Sequence, residues 1–113
     1  MRHKKDLYKT EQEELADTII NILNLDADNS IILYDIDHNT EIKDGIMNLV
    51  PELRKYFSYN NINGLTRPER MKRPYLSLIR QITKVKYSMT SEDIRIDREG
   101  QIIRTKRYSF HLD

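Results

Sequence analysis

Arg73, Ser77, Arg80, Gln81 and Lys84 follow one another at steps of four, three, one and three along the chain. On a helix, which turns 100° per residue, they share one face. Their types suit one chemistry: arginine forks onto guanine, glutamine onto adenine, and serine and lysine hold phosphate or base edges. Tyr75, Leu78, Ile79, Ile82 and Val85 fall on the other side, within an arc of roughly 120°. One segment therefore offers a core face and a polar face. A merely solvated polar face ordinarily mixes its signs so that residues four apart pair. This one does not, since Arg67, Arg70, Lys72 and Lys86 bracket it and residues 67–86 hold seven basic residues and one acid.

Further basic residues gather downstream at Arg95, Arg98, Arg104, Lys106 and Arg107. The candidate DNA-binding set is Arg67, Arg70, Lys72, Arg73, Ser77, Arg80, Gln81, Lys84, Lys86, Arg98, Arg104, Lys106 and Arg107. Duplex DNA is the favoured partner. The sorting of charge extends over the whole chain: residues 1–65 hold seven Lys/Arg and twelve Asp/Glu, and residues 66–113 hold twelve and six. A net of +1 over 113 residues thus conceals an acidic half and a basic half, and a concentrated positive region can hold a polyanion. The alternative partner is protein: an adaptor with opposite-charge halves that recognise different partners or a second copy, which makes a homodimer an open expectation.

Other chemistries find little support. Asp35-Ile36-Asp37 resembles the opening of a haloacid dehalogenase phosphatase, but Thr40 stands one position late and the chain is too short for the rest of such a domain. The plainer expectation is that these carboxylates end a strand and cap the next helix. His3, His38 and His111 lie far apart and there is no cysteine, so no metal site is expected. No phosphate-binding glycine loop is present. The expectation is a protein that is not an enzyme and uses no cofactor and no small-molecule substrate. The longest apolar run, Ile31 to Tyr34, is far short of the ~20 residues that span a bilayer, and Met1–Lys9 has no signal-peptide core. A soluble, intracellular protein without membrane contact is expected.

The elements that must position these residues can be read in order. Residues 1–9 form a basic tail carrying Arg2, His3, Lys4 and Lys5, and residues 10–113 form a single domain. Thr10 and Glu13 make a capping-box pattern that opens a first helix, whose stripe is Leu15, Ile19, Ile22 and Leu23. Ile31–Ile36 reads as a short strand. Asn39 or Thr40 caps a second helix lined by Ile42, Ile46 and Leu49, and Pro51 ends it or starts a further turn carrying Leu53, Tyr56 and Phe57. Ser58–Leu65 is the clearest loop. Thr66 and Glu69 repeat the capping-box pattern, and a longer helix runs from about Pro74 to Lys86. Ile94–Asp97 and Gln101–Phe110 form a hairpin around Arg98-Glu99-Gly100, with Arg98 presented at its tip. The aromatic pairs Tyr56/Phe57 and Tyr108/Phe110 are expected to close a thin core.

The segment KRPYLSLIRQITK (residues 72–84), with the Ser91–Phe110 hairpin and its IIRTKRYSF strand, resembles small helix-turn-helix-type proteins of large nucleocytoplasmic DNA viruses. The resemblance covers about the last 45 residues. It implies a DNA-associated or regulatory role in the cytoplasm or nucleus of a host cell, and it carries no catalytic residues. Helix, short strand, helix, helix and hairpin is also the order of a winged helix-turn-helix, an α+β domain with three main helices and a C-terminal β-hairpin wing.

Overall fold

A computed structural model describes residues 7–58 and 62–113. It is an α+β structure: helices pack on one another and against the base of a three-stranded antiparallel sheet. The basic cluster at residues 2–5 lies outside the described residues.

Helix α1 (Lys9–Leu23) buries Leu15, Ala16, Ile19 and Leu23 along its stripe. It begins before Thr10, so the expected capping box does not form: Tyr8 stands at the N-cap and no side chain caps the helix. Tertiary contacts set this start. The Tyr8 ring meets Tyr56 edge-on at 5.2 Å, and the buried Gln12 amide donates to the Tyr56 carbonyl. Lys9, expected in the tail, is helical. Asn24 ends α1 in the left-handed conformation (φ 51°), which asparagine tolerates better than most residues.

The expected strand at 31–36 is cut short. β1 covers Ser30–Ile32 and the chain then turns into a helix, α2 (Leu33–Asp37). Spacing explains the change: Ile31 and Ile36 are both buried, and an odd separation would put them on opposite faces of a strand. A helical turn brings both to the same core. Asn39 then caps α3 (Thr40–Met47), its side-chain oxygen accepting from the Ile42 N–H at 3.0 Å. Pro51 opens α4 (Val50–Tyr56), where its missing N–H costs nothing.

Part of the expected loop is helical, as α5 (Asn63–Thr66), and a 3-10 turn follows at Pro68–Arg70. The Thr66 hydroxyl donates back to the Asn63 carbonyl at 3.1 Å, so the second capping box does not form either. Gly64 is demanded by packing, since a Cβ there would lie 2.8 Å from the Leu78 side chain. Leu78 belongs to α6 (Pro74–Thr83), which buries Tyr75, Leu78, Ile79, Ile82 and Thr83. α6 is shorter than expected, because the chain must turn at Lys84–Lys86 to enter β2 at Tyr87.

β2 (Tyr87–Arg98) and β3 (Gln101–Leu112) are longer than the sequence pattern suggests and pair without a break from Tyr87↔Leu112 to Arg98↔Gln101. They turn through Glu99 (φ 54°) and Gly100 (φ 81°), a two-residue turn with both φ positive, which suits a hairpin's twist. β1 joins the other side of β3 through Ser30↔Ser109, Ile31↔Tyr108 and Ile32↔Arg107. Only this base of the sheet is in the core, where Ile31, Tyr108 and Phe110 are buried. The hairpin's outer half projects, consistent with extents of 55 × 31 × 21 Å. Among the described residues no helix is long and apolar enough to cross a membrane.

Candidate nucleic-acid interface

The two faces expected of residues 73–84 exist. While Leu78, Ile79 and Ile82 are fully buried, Arg80 and Lys84 are exposed and Ser77 and Gln81 half-buried. Gln81 is less free than the sequence implies: its amide nitrogen lies 2.6 Å from the Ser77 hydroxyl. Arg80 leans over the buried Tyr108 ring, its guanidinium carbon 5.9 Å from the centroid. This contact sets the exposed face of α6 beside β3. Tyr108, Lys106 and Arg104 alternate along one face of that strand, as the pleat requires.

At the start of α6, Arg73 is held by α2. Its Nε donates to Asp37 Oδ1 at 3.1 Å and its Nη2 lies 3.0 Å from Oδ2. The Tyr75 hydroxyl donates to the same carboxylate. Hydrogen bonding to Asp37 raises the Arg73 pKa, while burial, followed by the bond to Asp37, pushes the Tyr75 phenol up to about 12. At the other end, Lys86 pairs with Asp17 at 2.7 Å, and the Tyr87 hydroxyl donates to Asp17 as well. These two bonds hold the Asp17 carboxyl below its usual range.

The candidate basic residues therefore divide. Arg73, Lys86 and Arg98 pair with Asp37, Asp17 and Asp35 from the acidic half, so the charge sorting seen in the sequence is partly consumed inside the chain. Lys106 and Arg107 pair across the hairpin with Asp93 and Glu92. Arg98 is not displayed at a free tip: its Nη2 donates to both oxygens of Asp35 at 3.1 and 3.0 Å. Arg67, Arg70, Lys72, Arg80, Lys84 and Arg104 have no carboxylate partner among the described residues. Exposed pairs are worth only ~0–1 kcal/mol, so a phosphate can compete for the paired residues too.

Asp35 and Asp37 serve neither as strand end nor as cap, since they lie within α2 and accept from arginines. His38 stacks on Tyr34 at 4.0 Å between centroids.

An open groove of about 700 Å³ runs between α2, the start of α6 and the hairpin, and Tyr34, His38, Arg73, Arg95, Arg104 and Lys106 are among its lining residues. Arg95 is the residue the sequence reading left out of the site. The signal was present but indirect: a turn at Glu99-Gly100 sets Arg95 directly opposite Arg104. Comparison of the chain with protein-family models, with curated proteins and with solved structures finds no match.

Proposed function

We propose that this chain is a winged helix-turn-helix protein that binds duplex DNA, with α6 in the major groove and the β2–β3 hairpin as a wing along the phosphate backbone. Its role in that reading is regulatory or genome-organising. The observation that carries the proposal is the contact of Arg80 with Tyr108. Through it the exposed basic residues of α6 adjoin Lys106 and Arg104, making one surface of two elements that are separate in sequence.

Two further features support the reading. The chain order from α1 through β1 and α6 to the hairpin, with strands in the order β1-β3-β2, suits a helix carried beside a wing. Arg80, Lys84 and Arg104 have no carboxylate partner among the described residues and are exposed, so they meet a polyanion without first breaking an internal pair. The adaptor reading loses ground because Arg73, Lys86 and Arg98 are tied to Asp37, Asp17 and Asp35 of the same molecule, so part of the opposite charge on the two halves is already met internally.

The test is a fluorescence-anisotropy titration with random duplex DNA, single-stranded DNA and duplex RNA at two salt concentrations. Tightest binding to duplex DNA, weakened by salt, is expected. Absence of binding at low salt, with capture of a folded acidic protein instead, would favour the adaptor.

A further inference from the structure

β2 occupies an outer edge of the sheet, and along Tyr87–Arg98 its far side has no strand partner among the described residues. Proteins ordinarily blunt such an edge with charged side chains, above all lysine, with proline or with a bulge. β2 has no proline, lysine or bulge and its register with β3 is unbroken, while its charged residues, Glu92, Asp93, Arg95, Asp97 and Arg98, are of both signs and so can complement those of a second copy. On the same strand Arg95 stands directly opposite Arg104, an arrangement of like charges that destabilises a hairpin. Neither has a carboxylate partner among the described residues. Two positions from Arg95, and so on the same face, the Asp93 side chain is 86% exposed even while paired with Lys106.

We propose that two copies of the chain associate through this edge, β2 running antiparallel to β2 of the second copy about a two-fold axis at Ile94. In a continuous sheet the residues opposite one another share a face, so each candidate axis fixes every pair. An axis through Glu92, Asp93 or Arg95 sets a charged residue against its own copy. An axis through Ser91 creates no charge pair, and one through Ile96 leaves only Ile94 to Arg98 overlapping. The axis through Ile94 overlaps Thr90 to Arg98. It places Asp93 opposite Arg95 of the second copy, twice, and sets no like charges against each other. Arg95 thereby gains the carboxylate that its own chain withholds, and the edge N–H and C=O groups gain partners. The proposal is argued and tested without nucleic acid, although it takes Arg95, which also lines the groove, for the contact between copies.

The experiment is sedimentation equilibrium of the full chain without nucleic acid, across the micromolar range. The native chain is expected to dimerise, Asp93→Arg and Arg95→Asp to be monomeric, and the double variant, with the charges exchanged, to regain the dimer. Because the chain has no cysteine, the register can be tested separately. Ile94→Cys should cross-link under oxidised glutathione, since self-paired residues lie about 4.5–5.5 Å apart, within reach of a disulfide. Ile96→Cys should not, its two copies being roughly 13 Å apart at ~3.3 Å per residue. A native chain that stays monomeric, a dimer indifferent to both charge reversals, a double variant that stays monomeric, or an Ile96→Cys variant that cross-links as readily as Ile94→Cys would overturn the proposal.

Discussion

Asp37 receives Arg73 on both of its oxygens, at 3.1 and 3.0 Å, and so fastens α2 to the first residues of α6. The same carboxylate accepts from the Tyr75 hydroxyl. Asp37→Ala leaves that phenol without its acceptor in a residue only 9% exposed, and should cost ~1–3 kcal/mol. Arg73→Ala removes the more exposed partner and should cost less. Urea denaturation of the two variants checks the order.

Ile82→Ala and Lys84→Ala should separate folding from binding. Ile82 is fully buried, and its truncation should cost ~2–5 kcal/mol through lost burial and the cavity left behind. Lys84 is exposed, so its loss should change stability by less than ~0.5 kcal/mol while weakening DNA binding. Thermal melts beside anisotropy titrations make the comparison.

If five to seven basic side chains meet phosphates, log affinity for duplex DNA should fall with log salt at about −0.9 per contact, a slope of roughly −4.5 to −6. Arg104→Ala should make that slope shallower by about one contact's worth and weaken all sequences alike. A slope near zero removes the proposed function.

Arg80→Ala should blunt discrimination between DNA sequences, by ~1–3 kcal/mol where a forked base contact is lost. Gln81→Ala should do the same only if DNA displaces the Ser77 contact at 2.6 Å, so Ser77→Ala, which frees the amide, should change sequence preference. Competition titrations against a panel of duplexes distinguish the outcomes.

Alkali should weaken the fold through two phenols. Burial, then hydrogen bonds to Asp37 and Asp17, raise Tyr75 and Tyr87 from 10.0 to about 12. A raised folded value means that the stabilisation is intact below pH 10 and lost as pH climbs toward 12. Tyr75→Phe with Tyr87→Phe should flatten the decline between those limits, as measured by denaturation at fixed pH. Asp17 works in the opposite direction: its lowered value means that its contribution is present above pH ~4 and disappears as pH falls through the folded value.

Much of this molecule is local, and local features are legible. The core and polar faces of α6 follow from helical periodicity, a cap at Asn39 or Thr40 from a short polar side chain before an apolar stripe, and the hairpin from a glycine that accepts positive φ between alternating residues. Starts and stops are less local, because they answer to neighbours. Tyr8 against Tyr56 moved the start of α1 past a capping box that looked sufficient. The need to bury Ile31 and Ile36 together makes four of the six residues of an expected strand helical. For the site, residue types and spacing supplied the basic face of α6 and the basic hairpin. Which charges stand free was settled only in three dimensions, where Asp17, Asp35 and Asp37 reach Lys86, Arg98 and Arg73 across many residues of chain. The reason is physical: periodicity acts over a few residues and is written in order, whereas a salt bridge depends on distance alone, which only the folded chain assigns.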